Sequence, residues 1–149
     1  MTGTHLRNLQ FQDVGELLSI LQQWPQNDLG LGSWSARTLS ETLENSIDNE
    51  CVGIEDEQGL VCFAVLRRLP GAREVLVLAT ARRAARQGFM SQLLLHLKAA
   101  RKPGEELWLE VHEGNHNARS LYEKLGFQMV GQRPAYYPDG RAAMLYNLR

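Results

Sequence analysis

The feature that most constrains the fold is a strand–helix–strand unit in the second half of the chain. Residues 74–80 read EVLVLAT, a β-rich run with little polar alternation, which suits a strand buried on both faces. Apolar residues then recur at helical spacing from 88 to about 100, and LWLEVH at 107–112 is typical of another strand. Strands joined by a crossover helix lie parallel, so the sequence predicts one parallel pair at the centre of a sheet.

The other segments predict a mixed sheet around this unit. Further strands are expected at 5–9, 51–55, 60–66, 127–131 and 142–148, and further helices at 13–21, 35–44 and 117–125. Ser35 is suited to cap the second helix, and Gly126 to end the last one. The segment 24–34, WPQNDLGLGSW, is rich in turn formers and is expected to be a loop. The predicted fold class is α+β: a mostly antiparallel mixed sheet, flanked by helices, in the order β-α-α-β-β-β-α-β-α-β-β.

Length, charge and cysteine content narrow the class of protein. A chain of 149 residues is expected to form one domain over residues 1–149, and its net charge of −1 creates no overall field that would recruit nucleic acid or an anionic membrane. The apolar runs are too short to span a bilayer, and the N-terminal residues lack the apolar core of a signal peptide, so we expect a cytoplasmic protein. Cys51 and Cys62 show no metal or redox spacing and are expected to be free thiols.

The stretch RRAARQGFMSQL at 82–93 places arginines directly before a predicted helix. A helix N-terminus presents free N–H groups and the positive end of the helix dipole, so it is suited to bind an anion such as phosphate. Arg82, Arg83 and Arg86 would then be phosphate partners; the alternative is a basic turn whose arginines are only solvated. The stretch matches neither of two familiar phosphate loops, GxxxxGK(S/T) and GxGxxG.

The strand LWLEVH carries the candidate general base. Alternation along the strand places Trp108, Glu110 and His112 on one face. A carboxylate in the middle of a strand flanked by crossover helices is expected to face apolar cover, where desolvation raises the pKa and favours a role as base. The alternative is a glutamate on a solvated or edge face.

Two residues of the next helical segment could complete such a site. Tyr122 lies on the apolar stripe of the helix, where its buried hydroxyl needs a partner; the alternative is a tyrosine that only packs. Asn115 precedes the helix and could either cap it or reach into the same cleft, and capping is the commoner role.

With these motifs the chain resembles the GNAT superfamily of acetyl-CoA-dependent N-acetyltransferases. EVLVLAT followed by ARQGF is similar to the superfamily's pyrophosphate motif. LWLEVHEGNHNARSLYEKLGF is similar to the signature LWLEV…N..A..LYE.LGF of the RimI-like subgroup, whose members acetylate the N-terminal alanine of a small-subunit ribosomal protein. YYPDGRAA and SWSARTL resemble two further segments of that subgroup.

The resemblance implies a role for each candidate residue in direct transfer within a ternary complex. Glu110 would be the general base that deprotonates the acceptor ammonium, and Tyr122 the general acid that protonates the departing CoA thiolate. Acetyl-CoA would be the co-substrate, no metal would be needed, and the acceptor would be a protein N-terminus or another amine. The implied cofactor contacts are the backbone of Leu78, Ala79 and Thr80 for pantetheine, the N–H groups of Arg86, Gln87, Gly88, Phe89, Met90 and Ser91 for pyrophosphate, and Asn115.

Two departures from the family pattern keep alternatives open. In the loop pattern (Q/R)xxGx(G/A), Ala85 and Met90 stand at the first and last positions, and the Met90 side chain is expected to crowd the phosphates. LGLGSWS and DGRAAM lack acidic and Phe-Pro residues that the subgroup often carries where the acceptor binds. The alternatives are therefore a GNAT enzyme for lysine side chains or small amines, and a non-catalytic module that binds CoA or a partner protein.

Overall fold

The computed structural model describes residues 3–24 and 34–149, and within them the chain forms seven strands and four α-helices. The strands are β1 His5–Asn8, β2 Asn49–Asp56, β3 Gly59–Leu69, β4 Ala72–Thr80, β5 Glu106–His112, β6 Gln128–Arg133 and β7 Ala143–Leu148. The helices are α1 Val14–Gln22, α2 Ala36–Glu44, α3 Phe89–Ala99 and α4 His116–Lys124, with short 3-10 turns at Phe11–Asp13 and Arg82–Ala84. One sheet contains every one of these strands, in the order β1-β2-β3-β4-β5-β7-β6.

This architecture confirms the predicted fold class and element order. The pair β4–β5 is parallel, and the other neighbours in the sheet are antiparallel. Strand β6 extends to Arg133, beyond the predicted end at 131, because its pairing with β7 continues to Ala143. Most of the expected loop at 24–34 lies outside the described residues.

The predicted helix boundaries also have their expected causes. The Ser35 hydroxyl accepts a hydrogen bond from the Thr38 N–H at 3.1 Å, which caps α2 as predicted. Gly126 follows α4 with a φ of 99°, a left-handed conformation that favours glycine after a helix. No helix in the described part of the chain is both long and apolar enough to cross a membrane.

The helices divide between the two faces of the sheet. α1 contacts β3 and β4, and α2 contacts β2, so these helices cover one face over the first half of the sheet. The core on that face includes Leu17, Leu39 and Phe63. On the other face α3 and α4 pack on a second core, which includes Leu94, Leu107 and Tyr146.

A bulge in β4 opens the centre of the sheet. Across the β3–β4 pair, Val65 lies opposite Val77 and Leu66 opposite Val75, so Leu76 is an extra residue in β4. Such a bulge bends a strand and increases its twist. The parallel pairing of β4 with β5 covers only 72–75 and 106–109; beyond that, β4 stays paired with β3, and β5 stays paired with β7. The carboxyl ends of the two parallel strands therefore diverge and leave a cleft between them.

Candidate active site

The cleft between the diverging strands brings the predicted catalytic residues together. It has a volume of about 90 Å³ and is lined by the ends of β4 and β5, by Trp34, and by Asn115 and Tyr122 from the region of α4. Glu110 also lines it. Larger grooves of about 460 and 700 Å³ lie elsewhere on the surface, but neither is lined by Glu110 or Tyr122.

Glu110 lies on the predicted face of β5 but in different surroundings. Leu107, Leu109 and Val111 are buried in the core beneath α3 and α4, so Glu110 projects from the opposite face. Its carboxylate forms an ion pair with Arg133, whose Nε lies 3.0 Å from Glu110 Oε1, and its side chain is 23% exposed. The expectation of apolar cover is therefore wrong. The reason is that α1 and α2 pack over β2, β3 and β4, and their core cluster takes no residue from β5.

Tyr122 approaches the same cleft from the other face of the sheet. Its side chain is buried, and its ring lies 5.9 Å from the rings of both Phe127 and Tyr146. Burial raises the pKa of its hydroxyl, with smaller contributions from Tyr137 and Tyr146. The hydroxyl is therefore protonated near neutral pH and can donate a proton. Glu110 and Tyr122 line one cleft because the carboxyl ends of β4 and β5 diverge.

The loop before α3 presents unbonded backbone donors. Within the described residues, no protein acceptor receives a hydrogen bond from the N–H groups of Arg86, Gln87, Gly88, Phe89, Met90 or Ser91. Arg86 and Gly88 have φ values of 62° and 84°, and the Gly88 carbonyl accepts the first helical hydrogen bond from Gln92 at 3.0 Å. Free N–H groups at a helix N-terminus form an anion site, so this loop is suited to a phosphate group.

Two of the three loop arginines are already engaged elsewhere. Arg83 donates to both carboxylate oxygens of Asp56, at 2.8 and 3.0 Å. Arg82 lies 4.4 Å above the Trp24 ring and donates through Nε to the Gln23 carbonyl. Phosphate contacts of Arg82 and Arg83 would therefore compete with acceptors on β2 and directly after α1, and these contacts stay a prediction. Arg86 is exposed and makes no ion pair within 3–24 and 34–149.

The side chain of Met90 turns away from the expected phosphate position. It is half-buried and packs against the core beneath α3, as does Phe89. This packing favours a loop whose donors stay uncovered, and the effect of Met90 on the affinity for CoA stays a prediction. The loop keeps its backbone donors although it lacks a second glycine.

The free edge of β4 ends at Thr80. Leu78, Ala79 and Thr80 pair with β3 on one side, and none of them pairs with β5 on the other. The Thr80 carbonyl is partly used, since it accepts a hydrogen bond from Trp24 Nε1 at 2.7 Å. Backbone groups along this edge can pair with an extended ligand, as an added strand would.

Asn115 has both of the roles considered for it. Its side-chain oxygen accepts a hydrogen bond from the Ala118 N–H at 3.2 Å, which caps α4. It also lines the cleft, as Tyr122 does. Cys51 and Cys62 lie in the cores, and burial raises the pKa of each thiol to about 12, so neither is a nucleophile near neutral pH.

The residues around Glu110 and His112 include some that the sequence did not point to. Arg133 comes from β6, and Tyr137 follows it in the connection to β7. Burial, and then the charge of Glu110, raises the pKa of Tyr137 to about 12. His112 lies 4.9 Å from the Tyr137 ring and shares a hydrogen bond of 2.6 Å with Asp139. The motif YYPDG was a signal for this region, but its contacts with β5 depend on strand pairing.

Comparison with known proteins identifies the family to which this chain is similar. A profile described as "Acetyltransferase (GNAT) family" matches residues 15–127. An N-alpha-acetyltransferase of Saccharolobus solfataricus is 32% identical over 105 residues, which cover 66% of this chain and 63% of that protein. The ribosomal protein bS18-alanine N-acetyltransferase of Escherichia coli K12 is 45% identical over 60 residues, which cover 38% of this chain and 40% of that protein. Each alignment thus covers less than two thirds of the relative's length.

A solved structure extends the similarity to nearly the whole chain. The crystal structure of the ribosomal-protein-S18-alanine N-acetyltransferase from Escherichia coli matches with a TM-score of 0.85 and 25% identity, covering 98% of this chain and 93% of that one. These relatives confirm the resemblance to the RimI-like subgroup. The chain belongs to the GNAT family of N-acetyltransferases.

Proposed function

We propose that the protein transfers the acetyl group of acetyl-CoA to the N-terminal α-amine of a protein. The observation that carries this proposal is the meeting of Glu110 and Tyr122 in one cleft, from opposite faces of the sheet. A carboxylate and a protonated tyrosine are the pair that acetyl transfer to an ammonium requires, because one proton must leave the amine and another must reach the thiolate.

The residues around the cleft fit acetyl-CoA. The unbonded N–H groups of 86–91 suit its pyrophosphate, and the free edge of β4 at Leu78 and Ala79 suits the amides of its pantetheine arm. Asn115 would contact the cofactor near its pantetheine end. The similar Arabidopsis NAA60 structure, whose 13% identity and TM-score of 0.80 show a shared fold, was solved with acetyl-CoA.

Glu110 would prepare the nucleophile. An α-amino group has a pKa of about 7.7–8.0, so much of it is protonated and unreactive near neutral pH. Transfer of its proton to Glu110, directly or through water, frees the nitrogen lone pair to attack the thioester carbonyl. A C–N bond then forms as the C–S bond breaks. Holding both substrates in one cleft supplies much of the rate.

Tyr122 would complete the transfer at the sulfur. The departing thiolate takes the proton of the Tyr122 hydroxyl, which burial keeps protonated. The nitrogen loses its second proton to solvent once the C–N bond has formed. Tyr122 is then reprotonated by exchange with solvent, and Glu110 releases the proton that it took from the ammonium. The atoms balance as acetyl-CoA plus amine giving CoA thiol plus N-acetyl amine, without a covalent enzyme intermediate.

The relatives support a protein N-terminus as the acceptor. Those named above are described as an N-alpha-acetyltransferase and as a ribosomal-protein-alanine N-acetyltransferase. A ribosomal protein with an N-terminal alanine is accordingly our first candidate. A lysine side chain or a small amine is the second candidate, because the sequence departs from the subgroup at LGLGSWS and DGRAAM.

A single acceptor panel tests the proposal. Purified protein with acetyl-CoA is assayed for release of the CoA thiol on N-terminal peptides, on N-blocked lysine peptides and on polyamines. We expect the highest kcat/KM on free N-terminal peptides. Faster turnover of lysine or polyamine acceptors would favour the second candidate, and no turnover on any α-amine would remove the first.

A further inference from the structure

The carboxylate that would receive the acceptor ammonium already binds a cation. Arg133 Nε lies 3.0 Å from Glu110 Oε1, and the two residues come from strands separated by β7. The Arg133 guanidinium also lies 5.9 Å from the centre of the Tyr136 ring. The charge of Glu110 raises the pKa of the Tyr136 hydroxyl, which places that hydroxyl close to the same carboxylate. Glu110, Arg133 and Tyr136 thus form one cluster, and Glu110 is its member that lines the cleft.

An arriving ammonium needs the position that Arg133 holds. Before it loses a proton, the acceptor nitrogen carries a positive charge and is drawn to the carboxylate that will take that proton. A carboxylate has two oxygens, but two cations within a few ångströms of it also repel one another. Binding of the ammonium is therefore opposed as long as the guanidinium stays on Glu110.

Arg133 is able to leave, and its neighbours do not compel it to stay. Its side chain is 56% exposed on the edge strand β6, and an arginine stem is long and flexible. Two further carboxylates, on β4 and directly after β5, already have cationic partners. Glu74 is paired with Arg67, and Glu113 is paired with Arg141. A displaced Arg133 therefore turns to solvent.

We propose that Arg133 occupies the ammonium site of Glu110 in the acceptor-free enzyme and is displaced when the acceptor binds. This inference rests on the proposed function in that it takes Glu110 as the group that meets the amine. Arg133 is then a positioning residue that sets acceptor affinity, and it takes no part in the chemical step. When an acceptor binds, its ammonium replaces the Arg133 guanidinium on the Glu110 carboxylate. The acceptor therefore binds more weakly than it would to a Glu110 without an ion-pair partner.

The test is the kinetics of Arg133→Gln with the amine that the wild-type enzyme acetylates best. We expect the acceptor KM to fall about two- to fivefold, the range of a partly exposed ion pair, with kcat changed less than twofold. The KM for acetyl-CoA should not change. Arg133→Lys, which keeps the charge, should restore an acceptor KM near the wild-type value.

Arg68→Gln is the matched control, because it removes an exposed arginine from another cross-strand ion pair of the sheet, with Glu50, away from this cluster. It should leave the acceptor KM unchanged, and melting temperatures will show that all variants are folded. A higher acceptor KM in Arg133→Gln would show that Arg133 binds the acceptor and would overturn the inference. A fall in kcat with unchanged KM would overturn it as well, since Arg133 would then hold Glu110 in place for catalysis.

The choice of acceptor separates this inference from the proposed function. If the wild-type enzyme uses lysine or a polyamine, the proposed α-amine acceptor is wrong, but the Arg133 test proceeds with that amine. If it acetylates no amine at all, both proposals fall.

Discussion

The two sides of the cleft are built in different ways. On the cofactor side, the groups suited to acetyl-CoA are backbone atoms in one continuous stretch, from Leu78 to Ser91. On the acceptor side, the groups are charged and aromatic side chains from β5, from β6 and from the connection between β6 and β7. A backbone site tolerates changes of side chain, whereas a site made of paired charges depends on each member. The backbone site can be predicted from a local sequence motif. The site made of paired charges can be predicted only when the packing of distant segments is known.

The largest expected effect is a loss of kcat when the candidate general acid, Tyr122, loses its hydroxyl. Tyr122→Phe keeps the ring in its packing but removes the hydroxyl, so kcat should fall about 10²–10⁴-fold, the usual contribution of a general acid. Acetyl-CoA affinity, measured by calorimetry, should stay the same. Tyr146→Phe removes a hydroxyl from the same aromatic cluster outside the cleft and is the control. Near-native activity of Tyr122→Phe would return that residue to a packing role.

A somewhat smaller effect tests the acceptor side. Glu110→Gln should lower kcat about 10²-fold near pH 6 and less at pH 9. The reason is that an amine with a pKa of about 7.7–8.0 is mostly neutral at pH 9 and needs no base there. The measurement is the pH–rate profile of the wild-type enzyme and the variant, with Glu74→Gln as a control carboxylate outside the cleft. Parallel profiles would count against a base role.

A modest effect separates the arginines on the cofactor side. Arg86→Ala should weaken acetyl-CoA binding about two- to fivefold, and less at high salt, because an exposed phosphate contact is screened. Arg83→Ala should leave that affinity unchanged, since Arg83 is paired with Asp56. It should lower the free energy of unfolding only slightly, because the pair with Asp56 is exposed. Calorimetry at two salt concentrations measures the affinities, and equal losses in both variants would show that both arginines contact phosphate.

The smallest expected effect on affinity concerns Met90. Met90→Gly should change acetyl-CoA affinity less than twofold, because the methionine side chain packs on the core and leaves the loop donors uncovered. The same change should lower the free energy of unfolding by about 1–3 kcal/mol through lost packing and lower helix propensity. Titration with acetyl-CoA and denaturant unfolding measure the two quantities. Clearly tighter binding would show that the side chain crowds the phosphates after all.

The sequence predicted what depends on local patterns. The element order, the parallel pair and the cap at Ser35 follow from periodicity and turn residues near one another in the chain. The surroundings of Glu110 could not be predicted, because they depend on how far α1 and α2 extend across the sheet. The partners of Arg82 and Arg83 lie on α1 and β2, and no spacing along the chain links them.

The extra residue at Leu76 has a further consequence for β4. An ordinary strand alternates strictly, so Val75 and Val77 would face the same side of the sheet. Here Val75 belongs to the core under α3, and Val77 to the core under α1. The bulge therefore changes the face of the sheet toward which the odd-numbered residues of β4 point, from one core before Leu76 to the other core after it. Removing Leu76 would restore strict alternation while leaving Val77 and Ala79 in their present layer. The extra residue is therefore what allows a strand with apolar residues at 75, 77 and 79 to contribute to both cores.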